Sequence, residues 1–326
     1  MFFCYALAVL LVLIYIKKIK EPVIILSAAF LAIILKTCVM KIKLFYFLIL
    51  LCIAGFSQAQ IDSTGLNNIF GKKGTVQGMV YRITYPRTDL KVTVLDFKVS
   101  PGLALTSWVG ILFMGTESMM MGDLVMLDSE ESAVVAKLVS SGLFITAIHN
   151  HLTNEQPAIK YIHFSGSGDP LKLAASIKSV LAITGTPLTA PGSAQSTSPT
   201  DWSKVEAILG KSGKHNGMLL QYSFARKEKL SDAGMEMPAA MGMATGINLQ
   251  VDGNIAATTG DFVLLADEVN PVIKALTENG IVVTAVHNHM LFDDPRLFMM
   301  HFWAVGDPEK IALGLKAALD KINSKM

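Results

Sequence analysis

The sequence predicts an α+β fold made of two tandem copies of one domain, each with antiparallel strands and a ferredoxin-like β-α-β-β-α portion. Three observations carry this. First, residues 142–170, GLFITAIHNHLTNEQPAIKYIHFSGSGDP, align without a gap on 280–308, GIVVTAVHNHMLFDDPRLFMMHFWAVGDP, with 12 of 29 positions identical. Average residue usage would give about two by chance. Second, short runs rich in branched and aromatic residues recur between Gly and Asp turn signals, as strands do. Third, Asp169-Pro170 and Asp307-Pro308 each open an amphipathic stretch. Asp supplies an N-cap and Pro fits the first helical position.

Further matches extend the repeat. Gly122-Asp123 corresponds to Gly260-Asp261 and Glu130 to Glu268. At an offset of 139, Gly71, Lys72, Gly74, Gly78, Met79 and Arg87 correspond to Gly210, Lys211, Gly213, Gly217, Met218 and Arg226, and Asp62 to Asp201. The copies are placed at 61–183 and 200–326. The Thr-, Pro-, Ser- and Gly-rich stretch 184–199 is the linker. A period this long marks a duplicated domain, not a solenoid.

Within the first copy, Asp62 caps a short opening helix. Strands are expected at 76–84, 92–99, 106–114 and 123–127. A helix follows at 129–139, then strands at 144–151 and 158–165, then a helix from Pro170 to Leu181. The second copy repeats the pattern, with its last helix from Pro308 to Leu319. Met119–Met121 and the methionines of 235–243 are read as core filling or a mobile loop.

The chain has 326 residues, 52% of them hydrophobic, and a mean hydropathy of +0.47. Much of the excess lies in residues 1–59, which hold three apolar runs, six lysines and one acid, Glu21. That leaves 22 basic and 25 acidic residues in 60–326, a net charge of −3, which argues against a nucleic-acid binder. Lys41 and Lys43, the apolar 44–56 and Ser57-Gln58-Ala59 form a signal-peptide pattern at 40–59. Residues 1–39 are either an extension upstream of a true start at Met40 or a membrane anchor. The expected location is exported, periplasmic or secreted, and membrane-anchored if the leader is retained. Cys4, Cys38 and Cys52 all fall in the leader, so the body has no disulfide, no thiolate nucleophile and no Cys-ligated metal.

Six of the seven histidines make two copies of H-x-H-x11-H: His149, His151, His163 and His287, His289, His301. Residues i and i+2 of a strand share a face, so each H-x-H pair is co-facial. A hairpin centred on residue 156 would set His163 opposite His149 and Tyr161 opposite His151. Three imidazoles on one patch suit zinc, copper or nickel and leave open positions on the ion. Glu155 and Asp293, at equivalent places in the bend, are candidate carboxylate ligands. Asp293 and Glu268 are candidate catalytic acids or bases. The competing reading is structural: strand-end histidines hydrogen-bonded to carbonyls. Asp123 and Asp261 follow Gly and read as turn residues. Asn150 and Asn288 point to the opposite strand face. No P-loop, nucleophile elbow, zincin helix or dinucleotide fingerprint is present.

TAIHNH and GDP in the first copy, and TAVHNHM, DDP and HFWAVGDP in the second, together with GDFVLLADEV at 260–269, resemble the LppY/LpqO family (DUF1259) of exported bacterial proteins. The second copy is the closer match. The first departs at Ser165-Gly166-Ser167 and at Gln156, which stands where the family has an acid. The chain lacks the lipobox of the family's lipoproteins. The resemblance implies location and domain identity but no activity.

The combined expectation is an exported protein that binds a divalent transition metal or a small ligand through the two histidine clusters. Alternatives are a metal-dependent envelope hydrolase, and a structural or interaction module of the envelope. A small ligand or an envelope component is the expected partner; the membrane is met only through the leader.

Overall fold

The computed structural model describes residues 63–115, 117–189 and 200–325, with Val12, Lys36, Thr37 and Val39 of the leader. The signal peptide at 40–59, Asp62 and linker residues 190–199 lie outside the described residues, as does most of segment 1–39. Among the described residues no helix is long and apolar enough to cross a membrane.

Residues 61–326 form one compact unit containing both copies. The first copy runs α1 (Thr64–Phe70), β1 (Thr75–Gln77), β2 (Val80–Pro86), β3 (Val92–Val94), β4 (Phe97–Val99), β5 (Thr106–Met114), β6 (Glu117–Leu127), α2 (Glu131–Ser140), β7 (Phe144–His149), β8 (Glu155–Gln156), β9 (Ile159–Gly168) and α3 (Pro170–Leu181). The second runs α4 (Ser203–Leu209), β10 (Lys214–Asn216), β11 (Leu219–Ala225), β12 (Ser231–Asp232), β13 (Met235–Glu236), β14 (Ala244–Asp252), β15 (Ile255–Leu264), α5 (Ala266–Glu278), β16 (Val282–His287), β17 (Asp293–Asp294), β18 (Phe298–Gly306) and α6 (Pro308–Leu319).

Each copy carries a six-stranded sheet, ordered β1-β2-β5-β6-β9-β7 and β10-β11-β14-β15-β18-β16. β9 lies antiparallel between β6 and β7, and α2 connects those two parallel strands. This is the split β-α-β of the ferredoxin-like portion. The α+β class and the duplication hold. The cap signatures also hold: Asp169 accepts from the backbone amides of Leu171 and Lys172, and Asp307 from those of Glu309 and Lys310.

Several expected boundaries differ. The run 76–84 breaks at Gly78, whose φ of 59° turns the chain between β1 and β2. The run 92–99 is a hairpin, turned at Leu95 with φ 52°. The strand expected at 123–127 begins at Glu117 instead, and its methionines are buried core.

The helices cover one face of each sheet, burying Phe70, Ile111, Phe164 and Ile177 in the first copy and Leu209, Leu249, Phe302 and Leu315 in the second. Full burial of each such side chain contributes about 1.5–3 kcal/mol. The opposite faces turn toward each other. Between them lie two apolar clusters of mixed origin, one joining Phe97 and Tyr161 to Leu219 and Trp303, the other joining Leu112 and Met121 to Met241 and Met299.

Arms from each copy cross to the other. Arg82 donates to the Ala240 carbonyl at 2.7 Å, and Gln221, at the equivalent position, donates to the Gly102 carbonyl at 3.4 Å. The matched Arg and Glu positions form a buried pair in each copy. Arg87 meets Glu130 at 2.9 Å, and Arg226 meets Glu268 at 2.6 Å.

Candidate metal centre

Strand register brings the site together. Across the first copy, Trp108 faces Asp123, Asp123 faces His163, and His163 faces Ala147. Across the second, Gly246 faces Asp261, Asp261 faces His301, and His301 faces Ala285. These rows lie on the faces turned toward each other. The strand expected at 144–151 ends at His149, as its counterpart ends at His287, and His151 and His289 join from the loops beyond, so that all six repeat histidines and both aspartates gather between the sheets. His149 and His287 stack across the copies at 3.8 Å between ring centroids, His151 and His301 at 3.6 Å, and His163 and His289 approach to 3.9 Å.

The hairpin register differs from the expected one. His149 pairs with Tyr161, and His163 pairs with Ala147, so the hairpin centres on residue 155. The shift moves each partner by two residues and preserves the face, since strand faces alternate with period two.

Asp123 and Asp261 are not turn residues but sit in mid-strand. The preceding glycine has a different cause: a Cβ on Gly260 would lie 2.0 Å from the Gly246 carbonyl oxygen, and one on Gly122 would lie 2.2 Å from that of Trp108. The close approach of neighbouring strands demands glycine there, and the next residue then points into the site.

The acids expected to assist are placed elsewhere. Glu268 accepts from Arg226, from the Leu265 amide at 2.7 Å and from the Asn323 amide at 3.1 Å. Its lone pairs are occupied in a structural network, as Glu130's are by Arg87, Leu127 and Gly185. Asp293 accepts from Arg296 at 2.6 Å and from the Leu297 amide at 2.5 Å. Glu155 accepts from the Ile159 amide at 3.4 Å. All three shape their bends or helix entries. Asn288 bridges the copies by donating to the Thr146 carbonyl at 3.0 Å.

The histidines lack partners. Nine of their ring nitrogens are buried without a hydrogen bond, as are Asp123 Oδ1 and Asp261 Oδ1. A buried group left unsatisfied costs about 1–3 kcal/mol; carboxylates approach two of these nitrogens, His151 Nε2 at 3.3 Å from Asp123 and His289 Nε2 at 2.9 Å from Asp261.

Two nitrogens that are bonded help to orient the rest. His301 Nδ1 donates to the Gly260 carbonyl at 2.7 Å and His287 Nδ1 to the Asn288 carbonyl at 3.2 Å. Each bond fixes a tautomer that leaves the Nε2 lone pair free, the usual outer-shell arrangement of a ligating histidine. His289 Nε2 lies 2.9 Å from Asp261 Oδ2 and helps hold that carboxylate ionised. That spacing fits two neighbouring ligands at ~2.1 Å from one ion.

Burial also holds the imidazoles neutral, the form in which a ring nitrogen can accept a metal. It pushes His151 down to about 3, His287 to about 2 and His301 to about 3, with neighbouring histidines adding to the shift. His149 and His163 are lowered for the same reasons. Burial raises Asp123 to about 8. It pushes Asp261 upward too, but His301 and His289 outweigh it and hold that carboxyl below its ordinary range.

Three sets of donor atoms lie within 4.8 Å of one another: Asp261 with His287, His289 and His301; His149, His151 and His301; and His149, His163 and His287. Any two of these share a histidine. The second copy supplies a four-donor set alone, whereas each set involving the first copy borrows from the second. A cavity of about 750 Å³ opens over the cluster, lined by Asp123, Asp261, His151, His163, His289 and His301. His149 and His287 stand behind it.

The family profile described as Domain of Unknown Function (DUF1259) matches residues 64–183 and again 203–321. A comparison with curated proteins finds no match. Among solved structures, the chain is similar to the double-ringed trimeric shell protein MSM0271 of the RMM microcompartment, at 7% identity, 65% of this chain, 85% of that one and a TM-score of 0.19. It is also similar to the trimeric microcompartment shell protein PduB (11%, 74% and 86%, TM-score 0.19). EtuB from Clostridium kluyveri gives 11%, 76% and 88%, with a TM-score of 0.18. TM-scores this low carry no argument about function.

Proposed function

Since the chain belongs to the DUF1259 family and carries that domain twice, we propose that the second copy's donors, where the two copies meet, form one divalent transition-metal centre open to a small molecule. The ion is held by Asp261, His287, His289 and His301. The observation that carries this is the convergence of buried, unpartnered imidazole nitrogens with a carboxylate. Three nitrogens and one oxygen suit zinc, copper or nickel. Because the donor sets share histidines, one ion per chain is expected. A bound ion would supply Lewis-acid polarisation of a ligand oxygen.

The centre lines a cavity, which favours chemistry on, or capture of, a small molecule over a purely structural ion. The leader pattern at 40–59 supports action outside the cytoplasm, and an amino terminus at Gln60 in the mature protein would test that. The central experiment is titration of the full chain with zinc, copper and nickel, with metal content measured on the purified protein. One tightly bound equivalent, lost in His289→Ala and His301→Ala, is expected. No binding at micromolar metal, with both variants merely melting earlier, would overturn the proposal.

A further inference from the structure

The two copies match at every metal donor and differ beside the cavity. At Arg82 in the first copy the second has Gln221; at Trp108 it has Gly246. The guanidinium of Arg82 stacks 3.9 Å over the Trp108 ring and gives one hydrogen bond, to the Ala240 carbonyl. A guanidinium has five N–H donors.

Among the described residues Arg87, Arg226 and Arg296 each pair with a carboxylate, and Arg82 alone among the arginines does not. Both Arg82 and Trp108 line the cavity over the metal donors. Half-buried without an acid, Arg82 has its desolvation offset only in part, by the indole face and one carbonyl, and burial lowers it to about 10.

The path from Arg82 to the centre is short. Gly242, with φ +81°, lies between Trp108 and His289: a Cβ there would be 3.0 Å from the indole and 3.9 Å from His289 Nδ1. The lack of a side chain at Gly242 leaves that path clear. Arg82 pairs with Gly110 and Gly110 with Met121, so Arg82 and Asp123 are two strands and two residues apart, about 12 Å at ordinary strand spacing. Arg82, Asp261, His289 and His301 line the same cavity, so one molecule within it can meet both the guanidinium and the donors.

We infer that the cavity takes a small anionic molecule, its carboxylate or phosphate held by Arg82 and its other end at the histidine–aspartate centre. This rests on the metal reading for its second contact, while the first contact stands on Arg82 alone. Arginine suits both anions, because its planar fork meets two oxygens at once. The fixed inequality of Arg82 and Gln221 would orient the molecule in an otherwise twofold site. Gln221 is itself engaged, donating to the Asn248 side chain at 3.1 Å.

The test uses the fluorescence of Trp108 in the full chain, with and without zinc, on addition of inorganic phosphate, acetate or neutral acetamide. Trp108→Phe identifies the signal. Phosphate or acetate should change it with saturation and acetamide should not; the two anions separate phosphate from carboxylate recognition. Arg82→Gln, which installs the second copy's residue, should weaken anion binding about tenfold or more while zinc affinity stays unchanged. Equal anion affinity in wild type and Arg82→Gln would overturn the inference. Should that variant fail to fold, Arg82→Met keeps an apolar stem over the ring and must show the same loss. Anion binding through Arg82 in a chain that takes no zinc would sink the metal reading and leave this one standing.

Discussion

The two copies are nearly interchangeable where they are built and unequal where they face the cavity. Helix caps, buried Arg–Glu pairs, the Gly-Asp steps and all six histidines recur. Arg82 and Trp108 are answered by Gln221 and Gly246. The scaffold and the metal donors of the proposed site are both made twice, and what is made once is the wall of the cavity, Arg82 with Trp108, which is where the proposed ligand would gain its orientation.

Where the copies are alike, damage should be alike. Arg87→Met and Arg226→Met each remove a fully buried cation from its acids, of which Glu268 is buried and Glu130 partly so. Each should cost about 3–5 kcal/mol in denaturant unfolding while leaving metal stoichiometry unchanged. A gap of more than ~2 kcal/mol between them would break the scaffold equivalence.

Where the copies differ, damage should differ. His289→Ala and His301→Ala remove donors from the second copy's complete set and should lower metal affinity by about a hundredfold or more. His149→Ala leaves that set whole and should keep one equivalent within about tenfold of wild type. Loss of all metal in His149→Ala, measured by the same titration, would move the ion to a set shared by both copies.

Much of this was legible in the sequence, for identifiable reasons. The Asp-Pro caps and the strand at 106–114 depend on local chemistry and appear where expected. The H-x-H spacing marked the cluster, but the strands end at His149 and His287, so His151 and His289 come from the loops that follow and not from the strand face the spacing predicts. The aspartates were misread because Gly-Asp signals a turn when only neighbours along the chain are considered. What requires that glycine is a carbonyl on the adjacent strand, 138 residues of pattern repeating it without explaining it. Arg82 gave no signal of its own; it matters only because a wall of the other copy faces it.

The aspartates sharpen the comparison through pH. In the metal-free protein, His149, His151, His163, His287 and His301 titrate below their ordinary 6.5. As pH falls through 6.5 the unfolded chain takes up protons that the native state refuses, so stability drops from pH 7 toward 5. Asp123, raised to about 8, acts in the opposite sense: native protein retains its proton, and the stability this gives is lost as pH rises toward 8. Five groups outweigh one below 6.5, so melts in chelator should peak near pH 7. Asp123→Asn should remove the decline above the peak. Asp261→Asn should not, because Asp261 lies below its ordinary range and its contribution fades only in acid. A flat profile from pH 7 to 5 would contradict the buried, neutral histidines.

The smallest effect lies far from the site, where the copies solve one packing problem in two ways. In the first, Gly65 lets Leu171 close over it, since a Cβ there would meet the leucine at 2.8 Å. In the second, the same pair of positions holds Lys204 and Glu309, 2.7 Å apart and largely exposed. Exposed ion pairs contribute little, because solvent screens them and two long side chains must be held still. Lys204→Ala should therefore shift Tm by no more than about 2 °C, and salt should erase even that. A larger, salt-resistant shift would mean that α4 and α6 depend on this pair as α1 and α3 depend on their apolar contact.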